Sequence, residues 1–180
     1  MAAESCCPPG SIGAPTPSFD NEQPKGTFFT VPSPAAPENT TTPVPCYHYV
    51  APSSSSSSSA STKALILFHD VWGFKSRIIT IADWLAEQAS CHVLVIDFFR
   101  GKTYADLEKY DDNTKDWFLG VPYEPNVTRD LQACIDYMQT EKNVSEFGCM
   151  GFCWGCWAIA KTCERTAGAP GDAAVIVPWK

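Results

Sequence analysis

The pattern of apolar and polar positions changes character at Lys63. Beyond it, short apolar runs alternate with segments of helical spacing. Ala64–Phe68 is apolar throughout, as expected of a strand buried on both faces. Ile78, Ile81, Ala82, Leu85 and Ala89 then recur at helical intervals. His92–Ile96 reads as the next buried strand. A longer polar stretch, Gly101–Pro125, leads to Asn126, which is placed to cap a helix with Val127, Leu131, Ile135 and Met138 on its apolar face. Phe147–Met150 predicts a short strand that runs straight into a turn at Gly151. Ala158–Ala160 continue a helix after that turn, and Ala173–Val177 predict a final strand. No internal repeat occurs. Strands separated by helices of this length imply right-handed crossovers and an α/β fold with a mainly parallel sheet and helices on both faces. In such sheets chemistry sits at the carboxyl ends of the strands. Two segments lie there: His69–Gly73 and the turn around Cys153.

Residues 1–62 form a leader of different texture, followed by the α/β domain at 63–180. The leader holds most of the prolines and the serine run Ser53–Ser59, a low-complexity segment suited to a loop tip. Two stretches in it, Gly26–Val31 and Cys46–Val50, are β-branched or aromatic and flanked by prolines. They predict an edge hairpin, where prolines are tolerated.

Composition narrows the function. The chain has 180 residues, 44% of them hydrophobic and 18% charged, a globular balance with room for one cored domain. Its 20 acidic and 13 basic residues give a net charge of −7, which disfavours nucleic acid and anionic membranes as partners. Met1–Gly13 lacks the cationic start and apolar run of a secretory signal, and the longest apolar runs are too short to span a bilayer. The expected location is cytoplasmic, so Asn39, Asn126 and Asn143, each in an N-x-Ser/Thr triplet, are not read as glycosylation sites. The nine cysteines are expected as reduced, buried thiols, Cys153 excepted.

Cys153 is the exception because of its neighbours. Gly151-Phe152-Cys153-Trp154-Gly155 lies between a predicted strand and a predicted helix, the setting of a nucleophile elbow. The central residue there takes a strained backbone conformation, and close approach of strand and helix demands small flanking residues. At a helix N-terminus, unpaired N–H groups and the dipole favour a thiolate. The N–H of Trp154 is placed to meet an oxyanion. A second donor in such sites comes from the loop after an earlier strand, here the N–H of Val71.

At these residues the sequence strongly resembles the dienelactone hydrolase family, the carboxymethylenebutenolidases and their relatives. The resemblance runs from about Lys63 to the C-terminus. It is carried by Leu67-Phe68-His69-Asp70-Val71-Trp72-Gly73, by Val95-Ile96-Asp97-Phe98-Phe99-Arg100-Gly101 and, most sharply, by Met150-Gly151-Phe152-Cys153-Trp154-Gly155. Cys6-Cys7 near a glycine also looks like the start of eukaryotic members. The resemblance implies an α/β-hydrolase fold that cleaves small esters or lactones through a cysteine acyl-enzyme, without metal or organic cofactor. It implies Cys153 as nucleophile and Val71 and Trp154 as oxyanion-hole donors. Asp70 stands where bacterial members carry a glutamate that contacts the resting thiol, and Arg100 lies near the family's substrate-binding arginine. The family motif often ends in Gly-Gly, whereas here Gly155 is followed by Cys156.

The triad of this fold runs nucleophile, acid, histidine. Here His48, His69 and His92 all precede Cys153, and only Glu164 and Asp172 follow as acids. The resemblance therefore implies a chain that is incomplete at its C-terminus, lacking the last strands and helices together with the acid and base. His69 is expected to pack at its strand end. Two rival readings use the same residues. Cys153 and Cys156 form a C-x-x-C pair at a helix start, as in thiol redox proteins, and could also close a reversible disulfide over the nucleophile. Alternatively Trp72, Phe74, Trp117 and Trp154 line a binding pocket without turnover. The favoured expectation is a hydrolase acting on a small-molecule ester or lactone, its oligomeric state left open.

Overall fold

The computed structural model describes residues 23–33, 43–52, 61–104, 109, 112, 123–166 and 175–176. Among these residues, six strands and three α-helices follow in the order β1 (Thr27–Val31), β2 (Val44–Val50), β3 (Lys63–Phe68), α1 (Ser76–Ala89), β4 (His92–Ile96), α2 (Thr128–Lys142), β5 (Glu146–Gly151), α3 (Trp154–Thr166) and β6 (Val175–Ile176). They build one sheet in the order β1-β2-β4-β3-β5-β6. The pairs β4–β3, β3–β5 and β5–β6 are parallel, while β1–β2 and β2–β4 are antiparallel.

Side-chain alternation divides this sheet into two faces. Ile66, Phe68, Leu94 and Ile96 point to one side, where residues of α2 and α3 such as Leu131, Met138, Ala158 and Ile159 cover them. Leu67, Val93 and Val95 point to the other, against Ile78, Ile79, Ala82 and Ala86 of α1. A fully buried Ile or Phe at such a position contributes roughly 1.5–3 kcal/mol. This two-sided covering is why residues 64–68 and 93–96 are apolar throughout.

The leader hairpin forms, with Phe29 opposite Cys46. Of its two strands, β1 alone lies at the sheet edge, however. β2 is an interior strand that pairs with β4, placing Tyr47 opposite Val95. Tyr47, Val44 and Cys46 are core residues, so the change of composition at Lys63 is not a break in the sheet. The serine run lies outside the described residues.

Two helix details differ from the periodicity. In α1 the buried set is Ile78, Ile79, Ala82, Asp83 and Ala86, while Ala89 is exposed. A carboxylate sits on the inward face because the leader supplies donors to it. The Tyr47 hydroxyl and the Lys25 backbone N–H, the latter at 3.0 Å, both donate to Asp83. Asn126 is not the cap of α2. An irregular helical turn over Tyr123–Val127, with extended backbone at Glu124, leads into Thr128, and Thr128 donates its hydroxyl to Glu124 at 2.9 Å. Asn126 Oδ1 instead accepts from Arg129 at 3.5 Å.

Candidate active site

β5 ends at Gly151 and α3 begins at Trp154, leaving two residues for the turn. Cys153 takes φ +52°, the left-handed region that non-glycine residues seldom enter. It is exposed. Such a conformation costs on the order of 1–3 kcal/mol, and here the surrounding packing imposes it. A Cβ on Gly155 would lie 2.6 Å from the Phe68 carbonyl oxygen and 2.8 Å from the Phe68 Cβ. A Cβ on Gly151 would lie 2.9 Å from the Gly155 carbonyl carbon. Both glycines are thus required by contact between the start of α3 and the ends of β3 and β5. The Phe152 N–H donates to the Phe68 carbonyl at 3.3 Å, and the Cys156 N–H to the Cys153 carbonyl at 3.0 Å. The turn is locked on both sides of the thiol.

The His69–Gly73 loop leaves β3 beside this turn. The Asp70 carbonyl accepts from the Gly73 N–H at 3.0 Å and from His69 Nδ1 at 2.8 Å. A carbonyl only accepts, so Nδ1 carries the proton. The peptide is planar and trans, so fixing the Asp70 carbonyl fixes the Val71 N–H on its opposite side. The Tyr104 N–H holds the Val71 carbonyl at 2.9 Å. Asp70 itself accepts from the Trp72 N–H at 2.9 Å and from Arg77 at 2.8 Å. Its carboxylate therefore braces the loop and pairs with an exposed guanidinium.

His69 is packed, as expected of a strand end. Its ring is fully buried and stacks on Trp154 with centroids 5.6 Å apart and planes 15° apart, and it meets Phe99 edge-on at 4.6 Å. Burial lowers its pKa to about 4, against smaller opposing effects of Asp70. It is neutral near pH 7, and Nε2 lies 4.0 Å from Asp97 without a hydrogen bond. His69 thus touches Trp154 on one side and the loop carrying Val71 on the other. His48 and His92 bond to each other at 2.8 Å. His92 is level with Ala64, four residues back from Phe68, about 13 Å along the sheet.

Arg100, near the family's substrate-binding arginine in sequence, is engaged within the fold. Its guanidinium pairs with buried Asp130 at 2.6 Å and donates to the Asp97 carbonyl at 2.7 Å. The partner is 30 residues away in sequence, and Ser33 of the leader joins it at 3.0 Å. No local signal in the sequence announces that cluster. Asp97, given no role of its own from sequence, receives the N–H groups of Phe99 at 3.1 Å and Gly101 at 2.6 Å and shapes the loop after β4. Burial raises its pKa. Phe74 packs against the α1-side core and meets the exposed Phe28 edge-on. Trp72 meets Tyr104 edge-on at 6.0 Å, and Trp154 meets Trp157 at 5.9 Å. Trp117, Asp172, Cys6 and Cys7 lie outside the described residues. Among the described residues, no three of His, Cys, Asp and Glu converge as metal ligands, and no helix is long and apolar enough to cross a membrane.

A family model for dienelactone hydrolases matches residues 49–176. The chain belongs to the dienelactone hydrolase family. Solved structures agree in fold. An α/β serine hydrolase without a lid from Xanthomonas campestris is 11% identical with a TM-score of 0.50, the alignment covering 79% of this chain and 57% of that one. A cold-adapted esterase from an Arctic intertidal metagenomic library is 17% identical, TM-score 0.51, covering 74% and 56%. A dienelactone hydrolase-like promiscuous phosphotriesterase from metagenomic libraries is 17% identical, TM-score 0.51, covering 76% and 54%. The chain thus spans a little over half the length of these dienelactone hydrolase-like and related folds. No curated protein matches it. Placement of Cys153–Cys156 after the fifth strand of this fold excludes a thioredoxin-like architecture.

Proposed function

We propose that this chain transfers the acyl group of a small ester or lactone to Cys153. The observation that carries the reading is the exposed Cys153 at φ +52°, held between Gly151 and Gly155, neither of which tolerates a side chain. The Cys153 thiolate attacks the carbonyl carbon, and the oxygen that becomes negative is received by the N–H groups of Trp154 and Val71. The alkoxide leaves and a thioester remains. In a lactone the leaving group stays tethered to the acyl chain. Water then releases a carboxylic acid. The scheme needs no metal or organic cofactor.

His69 supports this site from behind. Its Nδ1–H secures the peptide bearing the Val71 N–H, and its ring backs Trp154. It is a positioning residue, and the same bond and burial make it unsuited to be the base. Among the described residues no histidine is placed to activate water at Cys153, so acylation is expected to outrun deacylation. With p-nitrophenyl acetate, stopped-flow absorbance should show a burst of about one nitrophenolate per chain and then slow turnover. Cys153→Ala should abolish the burst. A burst of equal size in Cys153→Ala would remove the assignment.

A further inference from the structure

We infer that Cys153 and Cys156 form a reversible disulfide that silences the site when a hydroperoxide reaches it. The inference rests on Cys153 being the reactive thiol of the proposed function, and it extends that reading to regulation.

Both residues are exposed thiols of one turn. The Cys156 N–H donates to the Cys153 carbonyl at 3.0 Å. Trp154 and Gly155, between them, are the first residues of α3, and helical backbone puts Cα atoms three residues apart about 5 Å from each other. A disulfide takes Cα separations of roughly 4.4–6.8 Å. The backbone of the elbow therefore holds the two residues at bridging range without moving an element. The Cys156 side chain also points the right way. Its Sγ donates to the Gly151 carbonyl at 3.0 Å, back toward the strand end from which Cys153 emerges. That bond parks the thiol at the foot of the elbow, and rotation about one side-chain torsion releases it.

The neighbouring thiols do not compete. Burial raises the Cys149 pKa to about 11, keeping it protonated. The Cys163 thiol is bonded to the Ile159 carbonyl at 2.9 Å, two helical turns from the elbow.

The chemistry balances with a hydroperoxide as oxidant. The Cys153 thiolate attacks one peroxide oxygen, the O–O bond breaks, and hydroxide leaves, giving a sulfenic acid. Hydroxide takes the proton of Cys156. The Cys156 thiolate attacks the Cys153 sulfur, the S–S bond forms, and the S–O bond breaks as a second hydroxide leaves and is protonated by solvent. Two thiols and one hydrogen peroxide become one disulfide and two waters. A dithiol reverses the change by exchange. Without the second thiol, the sulfenic acid proceeds to the sulfinic acid, which dithiols do not reduce.

The test treats the reduced 180-residue chain with hydrogen peroxide, blocks remaining thiols with N-ethylmaleimide and maps tryptic peptide 143–161, which holds Cys149, Cys153 and Cys156. The expected product is a peptide about 2 Da lighter than its dithiol form at the unblocked pair, with the blocking group on Cys149. The acylation burst should fall at least about tenfold and return after dithiothreitol. Cys156→Ser keeps the bond to Gly151 through its hydroxyl. It should acylate normally when reduced but lose the burst permanently after peroxide. The inference is overturned if the wild-type peptide carries sulfinic Cys153 beside a blocked Cys156, or if dithiothreitol restores Cys156→Ser as fully as wild type. A bridge that forms in a chain whose reduced form shows no burst supports the modification site and removes the acyl-transfer reading instead.

Discussion

Two cysteine pairs in this chain live under opposite conditions. Cys46 on β2 and Cys134 on α2 meet inside the core, their sulfurs 3.6 Å apart. Cys153 and Cys156 share a turn at the surface. The buried sulfurs are close, yet the Cys134 thiol is pushed far up in pKa, first by its bond with Cys46 and then by burial. There the thiol is a packing atom. At the elbow Cys153 has left-handed backbone and is exposed, which is the setting the proposed nucleophile requires. On the proposed function, reactivity is expected to follow exposure and backbone, not the proximity of sulfur to sulfur.

The contrast can be broken by alkylation of the native protein. Iodoacetamide should label Cys153 on the order of a thousandfold faster than Cys46 or Cys134, because the buried pair reacts only through opening of the core. Peptide mass spectrometry over time gives both rates, and similar rates would end the comparison. The next largest effect concerns the backbone that holds Cys153 out. Gly155→Val puts a side chain against Phe68 and should destabilise the fold by about 3 kcal/mol in urea unfolding. Unchanged stability would mean the elbow is looser than its contacts indicate.

A pH experiment probes the support behind the elbow. His69 has a pKa of about 4 when folded and an ordinary value of 6.5 when exposed. The unfolded chain therefore binds the proton first as pH falls. The stability contributed by neutral His69 is full above pH 6.5 and declines toward pH 4, by roughly 3 kcal/mol in all. His48, also lowered to about 4 by burial and then by His92, acts in the same direction. The difference in slope between wild type and His69→Gln, from urea unfolding at several pH values, isolates the His69 share. Equal slopes would contradict its buried neutral state. The smallest effect belongs to the exposed pair at the mouth of the loop. Arg77→Ala should cost less than about 1 kcal/mol, since a half-exposed guanidinium is well screened.

The sequence was most informative where a local pattern reflects a local cause. The apolar runs of β3 and β4 follow from two-sided covering, and the glycines around Cys153 follow from contacts of one helix with two strand ends. His69 was legible as a packed strand end for the same reason. What escaped depends on partners distant in the chain. The inward turn of Asp83 needs Tyr47 and Lys25 from the leader. The capture of Arg100 needs Asp130 and, through it, Ser33. Periodicity assigns charged residues outward and cannot see a donor arriving from another strand. Asn126 was misplaced because cap preference is read from residue type, whereas the chain already winds over Tyr123–Val127 before α2 begins.

The central claim is that the acyl group arrives on Cys153 and on no other of the nine cysteines. Brief exposure of the reduced chain to p-nitrophenyl acetate, acid quenching and peptide mass mapping tests it directly. The account predicts one acetyl group, held as a thioester on Cys153 and removed by hydroxylamine. Acetyl on Cys156 or spread over several thiols, with Cys153 unmodified, would contradict it.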